Sequence, residues 1–178
     1  MRTLTLLLVL FAAPAVVLSQ QNIKLVPGFR LGPQTCRGAD LSVRYIRNDS
    51  AMGGHNLRDY AFRNNSASTC TLTGYPRFEL LNKAGKPLPR GRAINSTKLP
   101  GDETTSPPGE ITLEAGKEAV FRVYHNSGGA GYAGKPCPIS RKVRITAPGT
   151  TRAFILKEEI TSCRTVQVSP VRKSTGVS

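Results

Sequence analysis

Apolar side chains recur at every second position over most of this chain, the spacing that gives a half-buried strand one wet and one dry face. "LSVRYIR" (Leu41 to Arg47) alternates Leu41, Val43 and Tyr45 with Ser42 and Arg44. "RDYAFRN" (Arg58 to Asn64) can bury Tyr60 and Phe62, and "RFELLN" (Arg77 to Asn82) can bury Phe78 and Leu80. "AVFRVYH" (Ala119 to His125) offers Val120 or Phe121, and "KVRIT" (Lys142 to Thr146) offers Val143 and Ile145. "AFIL" (Ala153 to Leu156) and "VQVSPV" (Val166 to Val171) complete the series. No comparably long segment carries a 3.6-residue stripe; "LKEEITS", near residue 160, comes nearest.

Turn residues punctuate these runs. "NKAGK" (Asn82 to Lys86) reads as a hairpin loop, and "APGTT" (Ala147 to Thr151) separates two later strands. With 17 Gly and 13 Pro, the pattern predicts an all-β chain, an immunoglobulin-like antiparallel β-sandwich. One domain is expected over residues 36–171, with loose tails at 20–35 and 172–178 and a long irregular polar segment from Pro89 to Gly109. Within "STCTLTGYP", Gly74, Tyr75 and Pro76 read as a structural corner. Gly74 permits a sharp bend, Tyr75 can pack on the core, and Pro76 stops pairing before the next strand.

The N-terminal "MRTLTLLLVLFAAPAVVLS" changes the setting. Arg2, an apolar run from Leu4 to Val17, and Val17 and Ser19 at the exit have the form of a signal peptide over residues 1–19. The run is short of the roughly 20 residues a membrane span needs, and no later segment is apolar enough to span. The expected location is secreted, periplasmic or extracellular. Losing Arg2 with the leader leaves 24 basic against 11 acidic residues, a formal charge of +13. Such an excess favours polyanions without specifying one.

All four cysteines, Cys36, Cys70, Cys137 and Cys163, lie in the exported part, where an even count is read as two disulfides. Three pairings are open, and Cys36 with Cys70 and Cys137 with Cys163 is favoured because each pair ties neighbouring segments. No pair of cysteines has the short spacing of a zinc site, and His55 and His125 are seventy residues apart. No metal and no cofactor are expected.

The chemistry-bearing motifs are few. "GAGYAGKP" (Gly129 to Pro136) spaces Gly129, Gly134 and Lys135 like a phosphate-cradling loop, but Pro136 replaces the hydroxyl residue and a strand pattern follows where a helix is needed. "KAGKPLPRGR" holds Lys83, Lys86, Arg90 and Arg92 without an acid, the candidate anion-binding residues. An acidic stretch bearing Asp102, Glu103, Glu110, Glu114 and Glu118 follows and reads as a solvated edge. His55 and His125 have no nucleophile motif beside them, so no catalytic residue is assigned. With no Trp and little aromatic interleaving, specific nucleic-acid binding is not expected. Sequons stand at Asn48, Asn64 and Asn95.

"CTLTGYPRFELLNKAGKPL" (Cys70 to Leu88), with "CRGADLSV" (Cys36 to Val43) and "YAFRNNSAST" (Tyr60 to Thr69) before it, resembles the bacterial exported family known as domain of unknown function 4232. "LEAGKEAVFRV" (Leu113 to Val123), Cys137 and "CRTVQVSPV" (Cys163 to Val171) extend the resemblance over nearly the whole exported chain. It implies an immunoglobulin-like sandwich in secreted or lipid-anchored envelope proteins, with no activity to carry over. The sequence departs from many relatives in lacking a lipid-acceptor cysteine and in its basic charge. The function expected is therefore a non-catalytic binding or structural module of the cell envelope or extracellular space. An anionic envelope polymer or another envelope protein would be its partner; electrostatic attachment is the main alternative, and a hydrolase with an unrecognised site is a third reading.

Overall fold

The structure, a computed structural model, describes residues 32–102, 107–128 and 136–174. The expected leader (1–19) and most of the glycine-rich loop (129–135) lie outside the described residues. In chain order the strands are β1 (Gln34–Thr35), β2 (Leu41–Ala51), β3 (His55–Asn64), β4 (Cys70–Thr73), β5 (Arg77–Leu81), β6 (Pro87–Arg92) and β7 (Ile94–Asn95). Then come β8 (Glu110–Leu113), β9 (Glu118–Asn126), β10 (Lys142–Thr146), β11 (Ala153–Leu156), β12 (Gln167–Val168) and β13 (Arg172–Lys173). Two single-turn 3₁₀ segments, Gly38–Asp40 and Met52–Gly54, are the only helical pieces among the described residues.

The chain is all-β, as the alternation predicts, and its strands form three sheets. One has the order β2-β3-β9-β12-β7, with β13 also pairing β9; the second runs β11-β10-β5-β6, and the third β1-β4-β8. Most pairings are antiparallel, but β1 with β4 and β7 with β12 are parallel, which the expected purely antiparallel arrangement did not contain. These short parallel pieces also carry pairing beyond the predicted limits. Gln34–Thr35 and Arg172–Lys173, placed in the loose tails, are paired, and the polar segment Pro89–Gly109 contains the end of β6 and all of β7. "VQVSPV" splits into β12 and a turn, because Pro170 has no N–H to continue a ladder.

The inner faces meet over one core. Tyr60 and Phe62 of β3 stack against Phe121 of β9 with ring centroids 5.4 and 5.0 Å apart, and Phe78 of β5 approaches Tyr60 from the other sheet at 5.5 Å. Leu72, Leu113, Val143, Ile145 and Val168 fill the space between them, all 1% exposed or less. Each such side chain contributes roughly 1.5–3 kcal/mol on burial. The strict period of two is interrupted in β2, where Tyr45 pairs Tyr60 but Arg47 pairs Asp59, so Ile46 is an extra residue. The bulge follows Tyr45, which keeps the face of Leu41 and Val43 and meets the Tyr60 ring edge-on at 5.8 Å, although it is 39% exposed.

Both favoured disulfides are present, Cys36 with Cys70 and Cys137 with Cys163, and there is no free cysteine among the described residues. The first fixes the parallel β1 beside β4. The corner lies where the chain leaves the three-stranded sheet after Thr73 and enters the four-stranded one at Arg77. Gly74 has φ 101°, a region closed to most side chains, and its carbonyl accepts from Val171 N–H at 2.9 Å. Pro76 is buried and Tyr75 half-buried.

Candidate functional site

The β5–β6 hairpin closes with Asn82 N–H donating to Lys86 O (2.9 Å) and Lys86 N–H to Asn82 Oδ1 (3.0 Å), which leaves Lys83 and Lys86 exposed. Beyond it the ladder breaks. Leu81 pairs Pro87 and Glu79 pairs Arg92, so Leu80 alone stands opposite Leu88–Gly91. Gly91 is required here, because a Cβ would lie 2.8 Å from Leu80 O and 3.0 Å from Leu88 O. Arg90 takes φ 57°, the one non-glycine residue with positive φ among those described. The bulge therefore divides the four predicted cations: Arg92 rejoins the ladder beside Glu79, whereas Arg90 lines a pocket of about 310 Å³ with Leu80, Leu88, Pro138, Cys163 and Arg164.

Ladder partners share a face, so register defines the outer surface of the four-stranded sheet. Ile155, Arg144, Glu79 and Arg92 form one row across it, with Lys142 and Arg77 in the rows on either side. Arg144 donates to Glu79 Oε2 (3.0 Å) and to Gly85 O (3.3 Å), which ties the hairpin to this face. Glu79 is the single acid in β5, β6, β10 and β11. Counting Lys83 and Lys86, six cations surround one carboxylate.

The six-stranded sheet handles charge differently. On its outer face Arg122 grips Asp59 with two bonds, Nε to Oδ1 at 2.6 Å and Nη2 to Oδ2 at 2.8 Å, while Arg47 donates to the same carboxylate at 3.0 Å. Arg122 also pairs Asp102 at 3.2 Å, and Arg172 approaches Asp102 at 3.5 Å. Arg44 holds Glu118 through both nitrogens at 2.9 and 2.7 Å. Asp102 and Glu118, read as part of a solvated edge, are instead ion-paired, and Asp102 is buried. Burial pushes the Asp59 carboxyl up, but the bonds from Arg122 and then Arg47 outweigh it and hold it below the usual range. All ten ion pairs among the described residues use arginine, and none uses lysine.

A third polar group lies on the inner side of β3 and β9. Tyr60 hydroxyl donates to Glu158 Oε2 at 2.7 Å, Arg58 Nη1 donates to the same oxygen at 3.2 Å, and Arg58 Nε donates to His125 Nε2 at 3.2 Å. His125 Nδ1–H donates to Thr161 O at 2.9 Å, so the imidazole is neutral with its acceptor facing arginine. Burial raises the Glu158 carboxyl and lowers His125 to about 4, Arg58 adding to the latter. Glu158 Oε1 is buried without a hydrogen-bond partner. His125 is 3% exposed, its proton is committed to a backbone carbonyl, and among the described residues no hydroxyl or thiol nucleophile bonds to it. The group braces the 158–161 segment against the sheets. His55 is exposed, its Nδ1 2.8 Å from Tyr124 hydroxyl.

Among the described residues, no cluster of His, Cys, Asp and Glu could hold a metal. No helix among them is long and apolar enough to cross a membrane. Of the sequons, Asn48 and Asn95 are exposed, but Asn64 is fully buried, with Nδ2 donating to Ser68 O (2.7 Å) and Leu113 O (3.0 Å).

The cysteine pairing, the corner and the strand order after Cys36 run in sequence through residues 36–172, and this whole stretch matches one sequence family, described as Domain of unknown function (DUF4232). The chain belongs to that family. No curated protein and no solved structure matches it. In this DUF4232 member the match begins at the first disulfide cysteine and ends at Arg172, in the strand that closes against β9. It thus takes in both charge regimes, the bulge and the pocket. What sequence reasoning missed is the division of Arg90 from Arg92: two residues apart, they read as one patch, and the glycine between them is the one signal in the sequence that marks the break.

Proposed function

We propose that this protein is a secreted, non-catalytic binding module of the cell envelope or extracellular space, which attaches to anionic polymer through the outer face of the β11-β10-β5-β6 sheet. One observation carries the reading: acids and arginines neutralise each other on the six-stranded sheet, whereas Arg77, Lys83, Lys86, Arg92, Lys142 and Arg144 surround Glu79 alone on the other. Cations held in rows on a twisted but rigid sheet present a fixed field to a polyanion, and they need little reordering on binding. The two disulfides agree with an oxidising compartment. The buried, committed His125 supports the non-catalytic reading.

Retention on an immobilised polyanion such as dextran sulfate, measured as a function of salt, tests this. Retention should fall steeply with salt, since exposed charges are screened within roughly 8–10 Å at ordinary ionic strength. The Arg77→Ala, Arg92→Ala, Lys142→Ala triple variant should elute at much lower salt than the wild type. A charge-matched control, Lys98→Ala, Lys117→Ala, Lys173→Ala, should move less. Equal shifts in the two triples would replace the face with a diffuse net-charge effect, and salt-independent retention would remove the electrostatic reading.

A further inference from the structure

The pocket behind the β6 bulge is separate from the basic face, because Leu80 points to the inner side of the sheet whose outer side carries Glu79 and Arg77. Its walls come from Leu80, Leu88, Pro89 and Pro138, and the described residues lining it include two arginines, Arg90 and Arg164, and no acid. Among the described residues its lining is leucine and proline with no aromatic side chain, so an aliphatic chain finds apolar walls there. The volume, about 310 Å³, lies at the small end of ligand sites.

Arg90 adds a second observation. At φ 57° glycine or asparagine would sit without strain, yet the chain places an arginine there, in a bulge that itself opens the pocket by displacing Leu88–Gly91 from the ladder opposite Leu80. Strained non-glycine residues and bulges concentrate at binding sites. Arg164 approaches the same pocket from the other side, on the segment anchored by the Cys137–Cys163 disulfide, and forms no ion pair among the described residues.

We propose that this pocket binds a small amphiphile, an aliphatic chain of acyl width ending in a carboxylate, with the chain against Leu80, Leu88 and Pro138 and the head group at Arg90 and Arg164. The inference does not depend on the basic face. Titration of the ¹⁵N-labelled protein with decanoate, kept below its micelle-forming concentration, should shift the amides of Leu80, Leu88 and Cys163 saturably. Decanol should bind about ten-fold more weakly, the size of one charge-assisted contact. Arg164→Glu, an exposed substitution, should weaken decanoate by a similar factor. Arg90→Gly should weaken decanoate by a similar factor, because it removes the head-group contact. The Arg77→Ala, Arg92→Ala, Lys142→Ala variant should bind decanoate as the wild type does. Equal binding of decanol and decanoate, or full affinity in Arg164→Glu, would overturn the proposal. So would full affinity in Arg90→Gly.

Discussion

Arg58 donates from Nε to Nε2 of His125 across 3.2 Å, so a permanent cation faces the lone pair of a buried imidazole. Protonating His125 would put two positive charges at that distance and turn the acceptor into a donor.

The consequence for pH follows from the sign of the shift. His125 is lowered to about 4 by burial and then by Arg58, whereas an unfolded histidine titrates near 6.5. Between those values the unfolded chain binds the extra proton, so this contribution is fully present above pH 6.5 and is lost as pH falls toward 4. At about 1.4 kcal/mol per unit, it is on the order of a few kcal/mol. Glu158 acts in the opposite sense: its raised carboxyl lets the folded state keep a proton, which adds stability as pH falls through its folded value. Urea unfolding at pH 7 and pH 5 should show a drop for the wild type that is smaller in His125→Gln. An identical drop in both would assign the acid sensitivity elsewhere.

Asp59 is the hub of the outer network, bonded by Arg122 and Arg47, and Arg122 is itself mostly buried. Asp59→Asn leaves a buried guanidinium with Asp102 alone, and should destabilise by about 3–5 kcal/mol, the range for breaking a buried pair. Because the Asp59 carboxyl is held low, its contribution stands above the unfolded carboxylate value and is lost as pH falls through the folded one. Denaturant midpoints at pH 7 and pH 3 would check this: the gap between variant and wild type should narrow in acid. A loss below about 1 kcal/mol at pH 7 would place the pair among surface bridges.

Asn64 looks like a glycan acceptor in sequence and is a buried bracket in the fold. Its Nδ2 bonds two backbone carbonyls, and its Oδ1 accepts from Ser66 N–H at 3.0 Å and from the Ser66 hydroxyl at 2.7 Å. Asn64→Ala should destabilise by about 1–3 kcal/mol through orphaned partners. Asn48→Ala and Asn95→Ala, at exposed positions, should stay within roughly 0.5 kcal/mol of wild type in thermal melts. Equal effects at all three would remove the bracket.

At the corner, a Cβ on Gly74 would meet nothing within 4 Å, so any cost of substitution comes from φ 101° alone. Gly74→Ala and Gly74→Val should both destabilise, by about 1–3 kcal/mol. Cys70→Ser should lose about 3–4 kcal/mol, the value for a loop of this length, by calorimetry under non-reducing conditions. A fully stable Cys70→Ser would show that β1 is held by its ladder alone.

Much of the architecture was legible in alternation. Phe62, Phe78, Leu80, Val143 and Ile145 are buried where a period of two puts them, and the hairpin at Asn82–Lys86 lies where its turn residues stand. The same rule loses its phase after Tyr45, because one inserted residue at Ile46 reverses the faces beyond it, bringing Arg47 to Asp59, and leaves no mark in composition. It also joined Arg90 to Arg92, which the wide bulge separates. "LKEEITS" was the least readable segment: Glu158, drawn in by Tyr60 and Arg58, is held by partners about a hundred residues away, and no local periodicity records them.

By itself, then, the amino-acid order determined strand identity, turn positions, the pairing of four cysteines and a large positive charge. These follow from local backbone geometry and from counting. Only the tertiary structure decided where that charge is spent. Asp59, Asp102, Glu118 and Arg122 meet across strands distant in sequence, so their neutralisation depends on register and sheet order. Once those acids are engaged on one sheet, the excess is left on the other, and a break in the β5–β6 ladder turns one of its arginines toward a pocket. Charge is additive along a chain, but pairing is set by distance, and distance belongs to the fold.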